Sequence, residues 1–197
     1  EGLLDCNIRV SPSTPNSISF QPEGTNTAGD LGAAVSLTYE NRNLFRGSEV
    51  FSVKLRGAYE AITGLEGYQN QNYIEYGIES KILFPSFMCP FLSYDFKRRS
   101  YSTTEIGVSY NLQNRPEFHR RVFSGSVRYR WTDSSQKHQY KVDIIDLNYV
   151  YMPWISSTFK DNYLDNVDNK NVILKYNYED LFIMKIGFGM TYSHKNN

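Results

Sequence analysis

The sequence lacks any apolar run of about 20 residues, the length that a transmembrane helix needs, and it lacks a signal-peptide pattern. It contains only two cysteines, Cys6 and Cys89, which stand far apart and without metal-ligand spacing, so we expect both to be unpaired. Its 21 basic and 21 acidic residues balance, which gives no indication of a nucleic-acid partner. The mean hydropathy of -0.51 does not decide between a soluble and a membrane protein, because only every second residue of a membrane β-strand faces lipid.

Groupings of residues that would support catalysis or metal binding are also scarce. The three histidines have no serine, cysteine or aspartate at a suggestive spacing. Glu75 and Glu79 share one face of a predicted strand, but residues four apart on a strand are separated by about 13 Å, more than the about 5–9.5 Å between glycosidase carboxylates. Asp161, Asp165 and Asp168 lack the glycine and the terminal glutamate of a calcium-binding EF-hand loop. The sequence therefore predicts no enzyme, no metal site and no cofactor.

Aromatic residues and two-residue alternation are abundant. The 16 tyrosines and 12 phenylalanines favour strands, and tyrosine also suits a membrane–water boundary. Apolar and polar residues alternate in a pattern that predicts about eight antiparallel strands. The alternating segments are residues 17–21, 30–42, 49–61, 74–84, 105–112, 123–131, 139–151 and 182–192. The apolar phase slips at Ile144-Ile145, where we expect a β-bulge.

Strand length and the division of the two faces favour a transmembrane β-barrel. The long segments run to about 11–13 residues, against about 5–6 in typical globular strands and about 9–11 in a tilted strand that crosses a bilayer. One face is apolar and ends in tyrosine or tryptophan, as a lipid-facing surface requires, and the other is charged and rich in glycine. We interpret the chain as all-β, an antiparallel up-and-down transmembrane barrel. A soluble β-sandwich with its apolar faces turned inward is the alternative that composition alone would favour.

The polar positions of these strands carry charges of both signs, which we assign to the lumen of the barrel. These candidate lumen charges are Lys54, Arg56, Glu60, Glu75, Glu79, Lys81, Arg128 and Arg130. We expect Glu75 and Glu79 to pair with Lys54, Arg56 or Lys81. The two pairs Arg98-Arg99 and Arg120-Arg121 fit either lipid phosphates at the rims or plain solvation.

The connectors between the predicted strands differ in character. Asn43, Leu44, Phe45 and Gly47 lie in a compact turn, in which we expect Gly47 to need a positive φ. Residues 132–135 predict a second compact turn, and residues 25–29, 64–72 and 162–171 predict polar loops. Residues 85–100 are too irregular for a hairpin, so we expect them to fold over a barrel rim. Residues 155–164 favour a short helix.

Several segments resemble one family of membrane proteins. Residues 30–49 (DLGAAVSLTYENRNLFRGSE) resemble the start of the barrel of BamA/TamA-type outer-membrane assembly proteins, the surface-antigen family, in which such a strand ends in an Asn-Leu-Phe-Gly-like turn. Residues 4–10 resemble the last strand of the family's final periplasmic POTRA repeat, and residues 111–118 and 147–154 resemble Bacteroidetes-type members. The resemblance covers nearly the whole chain through the order of its segments. The family's internal Arg-Gly-Phe motif belongs to the second half of the barrel and has no counterpart here.

The resemblance implies two parts, with residues 1–12 as the end of a POTRA-like repeat and residues 16–197 as the N-terminal half of an outer-membrane barrel. We expect the chain to continue beyond both ends. The implied location is the bacterial outer membrane, with the N-terminal segment in the periplasm. The implied partners are outer-membrane lipids, client outer-membrane proteins and accessory assembly proteins, and the implied function is the insertion or translocation of other proteins.

The first barrel strand, residues 16–24, is the candidate seam, because its few apolar residues predict weak pairing with the last strand. The candidate seam residues are Ser17, Ile18, Ser19, Phe20, Gln21 and Glu23. An exposed strand edge there can template an incoming strand through backbone hydrogen bonds. Two other functions remain open: a small passive outer-membrane barrel with a structural or adhesive role, and a soluble β-sandwich that binds a glycan or a protein.

Overall fold

The computed structural model describes residues 14–27, 30–62, 71–164 and 177–193. Its strands are β1 (Asn16–Thr27), β2 (Asp30–Asn41), β3 (Val50–Ile62), β4 (Gln71–Phe84), β5 (Tyr101–Asn114), β6 (Phe118–Thr132), β7 (His138–Ile155) and β8 (Leu181–Tyr192). Two short α-helices, α1 (Tyr94–Arg99) and α2 (Ser157–Phe159), lie in the connections, and a π-helical turn (Lys160–Leu164) follows α2. Among the described residues, no helix is long and apolar enough to cross a membrane.

All eight strands belong to one antiparallel sheet in the order of the chain, from β1 to β8. The prediction of an all-β, up-and-down architecture is therefore confirmed. The sheet is not closed, since β1 and β8 are its two edge strands. A sandwich needs two packed sheets, and a small barrel needs its first strand paired with its last. Neither arrangement describes the residues that the structure covers.

The register of the sheet shifts steadily in one direction. The row of paired residues that starts near the beginning of β1 ends in the middle of β8, well before that strand ends at Tyr192. This row consists of Ser17, Glu40, Ser52, Lys81, Gly107, Ser126, Asp146 and Lys185. Strands tilt and stagger in this way when a sheet curls towards a barrel. The register is therefore that of a barrel segment.

The observed strands differ from the predicted ones mainly at their ends. Residues 25–27, predicted as part of a loop, belong to β1 and pair with residues 30–32 of β2. Similarly, β4 begins at Gln71 inside a predicted polar loop. Polar side chains do not end these strands, because the neighbouring strand supplies partners for the backbone whatever the side chain is. The predicted POTRA-like segment, residues 1–12, lies outside the described residues.

The irregularity expected at Ile144-Ile145 is present in β7. Val127 of β6 pairs with Ile145, whereas the next residue, Arg128, pairs with Asp143, so Ile144 is left over. The register with β8 shifts at the same place. The bulge is confirmed, and because it adds one residue it puts Asp143 and Asp146 on the same face of the sheet. The short helix predicted for residues 155–164 is also confirmed, as α2 and the π-helical turn.

The connector of residues 85–100, predicted to fold over the rim, packs onto the apolar side of the sheet at the ends of β5 and β6, a side that the sequence did not specify. The ring of Phe87 is only 6 % exposed and lies 5.7 Å from the rings of Tyr129 and Trp131. Two hydrogen bonds fix the chain there: Met88 N donates to Thr104 Oγ1 (3.0 Å), which donates to the Ser86 carbonyl (2.7 Å). The burial of Phe87 against two aromatic rings stabilises this position of the connector.

Candidate functional site

The alternation in the sequence separates the sheet into two faces. The polar face consists of the row from Ser17 to Lys185 and of every second residue counted from that row along each strand. It holds all eight candidate lumen charges. On β2, Ser36 of the polar face is 1 % exposed, whereas Leu31 and Leu37 of the apolar face are 67 % and 40 % exposed. On β2, a small polar residue is therefore shielded while large apolar residues are exposed.

Arg128 is the centre of an ion-pair network on the polar face. Its guanidinium lies 2.8 Å from the Glu105 carboxylate on β5 and 2.5 Å from the Asp143 carboxylate on β7. Lys141 adds a second contact to Asp143 at 3.0 Å, and Arg130 lies 3.7 Å from Glu105. One arginine on β6 thus links the three strands β5, β6 and β7 electrostatically.

Of the pairs expected for Glu75 and Glu79, the described residues show one, that of Glu79 with Lys81. The Glu75 carboxylate accepts hydrogen bonds from the Tyr73 hydroxyl and from Asn111 Nδ2, the latter at 2.7 Å. The residues directly opposite it in the register are an alanine on β3 and a glutamine on β5, and neither carries a charge. Glu79 forms an ion pair with Lys81 of its own strand rather than with β3, although Lys54 lies opposite it.

Two small cavities of about 120 and 200 Å³ open on the polar face and share Glu79 and Ser109 in their linings. Lys54, Arg56 and Asn111 line one of them, and the other is lined by residues of both charge signs. In the part of the chain that the structure describes, no group of three His, Cys, Asp or Glu side chains could hold a metal ion. Among those residues, the polar face offers paired charges and amides rather than an exposed reactive group.

The candidate seam strand β1 forms a free edge of the sheet. Its side chains divide as predicted: Ser17, Ser19, Gln21 and Glu23 belong to the polar face, whereas Ile18 and Phe20 lie on the apolar face, 73 % and 64 % exposed. One ion pair reaches it from β3, between Arg56 Nη1 and Glu23 Oε2 at 2.9 Å.

The backbone of β1 offers an interrupted edge. Arg42 N donates to the Pro15 carbonyl at 2.8 Å, so these two residues are a hydrogen-bonded pair, and such pairs alternate along an antiparallel ladder. Odd-numbered residues of β1 therefore bond to β2, and the backbone groups of even-numbered residues point to the free edge. Pro22 is one of these residues, and proline has no N–H. The free edge therefore lacks a backbone N–H donor at the middle of β1. This agrees with the general preference of proline for edge strands.

The turn between β2 and β3 is built on two side chains. Asn43 Oδ1 accepts from Ser48 N at 3.3 Å, and the Glu49 carboxylate accepts from the N–H groups of Phe45 (3.2 Å) and Gly47 (3.0 Å). Hydrogen bonds from the backbone N–H groups of Glu49 itself, Gly47 and Phe45 hold the pKa of this carboxylate below its usual value. Leu44 is exposed within the same turn.

The reason expected for Gly47 is wrong. The positive φ angles of the turn belong to Arg46 and Ser48, both at 64°, and Gly47 has none. A Cβ atom at Gly47 would instead collide with the Glu49 carboxylate. A larger residue at this position would therefore require the Glu49 side chain to move away from the backbone.

Aromatic residues mark both ends of the apolar face. At one end, near the turn of residues 133–137, the rings of Trp131 and Tyr140 stack at 5.1 Å. At the other end, near residues 115–117, the rings of Trp154 and His119 lie 4.8 Å apart. Amphipathic rings at two levels are typical of the two interfaces of a bilayer.

Sequence reasoning missed Glu105 and Asp143 as partners of Arg128, the role of Pro22, and the position of the connector on the apolar face. Pro22 could have been found from its place within an alternating strand, since proline is confined to edges and bulges. No family model matches the chain, and neither curated proteins nor solved structures give a match.

Proposed function

We propose that this chain is the N-terminal half of a larger outer-membrane β-barrel that inserts or translocates other proteins through a seam at β1. The observation that carries the proposal is the free, interrupted edge of β1, next to a sheet whose large apolar residues are exposed on one face. The completing strands belong to the rest of the parent protein and would follow β8.

The membrane part of the proposal is supported by dimensions. A strand of 12 residues such as β1 is about 40 Å long at about 3.3 Å per residue, and it spans about 30 Å at a tilt of about 40°. A hydrocarbon core is about 30 Å thick. The exposed apolar face with aromatic residues at both ends fits lipid, and the charged face fits an aqueous lumen.

The seam is supported by the weakness of the edge that β1 offers. A partner strand along this edge loses one backbone hydrogen bond at Pro22. A weak closing contact can part at low cost, and the exposed N–H and C=O groups on either side of Pro22 can then pair with a strand of a client protein.

A crosslink in the parent protein tests the seam. Ser19→Cys, joined to a cysteine on the closing strand, should block the insertion of a client outer-membrane protein into lipid vesicles, and reduction should restore it. The matched control joins Thr38→Cys on β2 to Lys54→Cys on β3, which face each other in register. That crosslink should leave insertion unchanged, because interior strands need not part.

The outcomes separate the possibilities. If neither crosslink affects insertion, the seam does not open and the proposed mechanism is wrong. If the control alone blocks insertion, the moving part lies elsewhere in the barrel.

A further inference from the structure

The connector between β4 and β5 encloses an apolar slot against the sheet. The slot has a volume of about 240 Å³ and is lined by apolar atoms only. The connector contributes Cys89, Leu92 and Phe96 to the lining of the slot, and the sheet contributes Trp131, Val142 and Ile144. Because these sheet residues lie on the apolar face, the slot is continuous with the surface that we propose to contact lipid.

A polar compartment adjoins this slot. A second cavity of about 700 Å³ shares Phe96 and Trp131 with it and is lined by charged side chains of both signs: Arg99, Asp95 and Asp133. Among the described residues, Arg99 and Asp95 form no ion pair, so both remain available to a ligand. An apolar slot thus ends beside one cation and two carboxylates.

We propose that this pair of cavities binds a phospholipid with an ammonium headgroup. One acyl chain occupies the apolar slot, the phosphate pairs with Arg99, and the ammonium group donates to Asp95 or Asp133. The inference rests on the proposed membrane location of the apolar face. The arrangement suits this ligand because a phosphate prefers a guanidinium partner, whereas an ammonium group needs carboxylates, and the site provides both.

A lipid fits the surroundings of the slot better than a protein partner does. The slot lies level with the stacked rings of Trp131 and Tyr140, at the end of the strands where headgroups would meet water. Phe91 and Tyr94 on the same connector are 93 % and 77 % exposed, and exposed aromatic rings of this kind suit insertion into a bilayer interface.

The two tryptophans make the test direct, because the chain has only Trp131 and Trp154. The Trp154→Phe protein reports on the site through Trp131, and the Trp131→Phe protein reports on the opposite rim through Trp154. Each is folded into phosphatidylcholine nanodiscs that contain an increasing mole fraction of phosphatidylethanolamine with brominated acyl chains, which quench tryptophan fluorescence on contact.

Half-maximal quenching of Trp131 should need a mole fraction of brominated phosphatidylethanolamine about tenfold lower than that of Trp154. A tenfold difference in affinity is about what one charge-assisted hydrogen bond gives. Replacing both carboxylates, Asp95→Asn with Asp133→Asn, should abolish this difference, because phosphatidylcholine carries the same phosphate and lacks only the N–H donors of the ammonium group. Val142→Phe should also abolish it by filling the slot. Glu40→Gln, near the end of β2, is the control for the loss of a carboxylate at the same end of the sheet, and it should leave the difference unchanged.

The results distinguish this site from the membrane proposal on which it rests. If Trp131 and Trp154 are quenched alike, in proportion to the bulk lipid, the site is absent although the apolar face contacts lipid. If neither tryptophan is quenched, the apolar face does not contact lipid and both proposals fail. Preference that survives both Val142→Phe and the joint Asp95→Asn and Asp133→Asn substitution also overturns the site.

Discussion

Arg56 on β3 reaches past β2 to the Glu23 carboxylate on β1, with 2.9 Å between Nη1 and Oε2. It can do so because Ser36 of β2, the residue between them, is small, and the guanidinium passes within 3.5 Å of its hydroxyl. The pair fastens the edge strand to the second strand inward. It is the one ion pair described between β1 and the rest of the sheet.

Removal of this pair should loosen β1. Both side chains are about a third or more exposed (31 % and 43 %), so we expect Glu23→Gln to reduce the stability of β1 by at most about 1 kcal/mol. Amide hydrogen exchange in lipid should accelerate in β1 and not in β4, and the effect should shrink at high salt. Glu40→Gln is the control, since its partner Arg42 directly follows β2 and the pair does not involve β1. Equal exchange in both variants would show that the pair does not hold the edge.

Pro22→Val should make the free edge more adhesive. The substitution restores an N–H that points away from β2 and adds a β-branched residue, so two copies of the chain should pair more readily edge to edge. Light scattering of the chain in detergent should show a larger dimer fraction than for the unsubstituted chain. Gln21→Val adds the same side chain at a position whose N–H already bonds to β2. If that control raises the dimer fraction as much, the backbone donor is not the cause.

The two faces should differ in their tolerance of charge. Val53→Arg, on the apolar face, should impair folding into lipid by about 2–4 kcal/mol near the bilayer midplane. Ser52→Arg, on the polar face opposite Glu40, should cost far less. Ser36 is a poor control, because it is almost fully buried beneath Arg56. Unfolding in urea from lipid vesicles measures both variants, and equal losses would contradict the assignment of faces.

The turn at Glu49 should add to the loss of stability in acid. The pKa of this carboxylate is lowered in the folded protein by backbone hydrogen bonds, so its contribution is present above the unfolded pKa and is lost as the pH falls through the folded pKa. Between about pH 5 and pH 3, the unfolding free energy of the unsubstituted chain should therefore fall more steeply than that of Glu49→Gln. Glu179→Gln, in the loop before β8, is the control. Parallel curves for all three proteins would exclude this role.

Local patterns were sufficient to predict the strands and their faces. Alternation is set by the two-residue period of each strand, so the eight strands and the sides of Ile18, Phe20 and Leu37 follow from sequence alone. The bulge at Ile144-Ile145 was also predictable, because an extra residue interrupts that period in the sequence itself.

Contacts between strands were not predictable in this way. Arg128 meets Glu105 and Asp143, and Glu75 meets Asn111, because of the register, which depends on the lengths and shapes of the intervening turns. A change of one residue in a turn would give each charge a different neighbour.

The sequence by itself determined that this protein forms long amphipathic strands, because each residue's side of a strand is a property of its position in the chain. The tertiary structure alone decided which charges pair and that the β4–β5 connector packs onto the apolar face through Phe87. These features depend on the hydrogen-bonding phase of each ladder and on packing between residues far apart in the chain, and no local period encodes either of them.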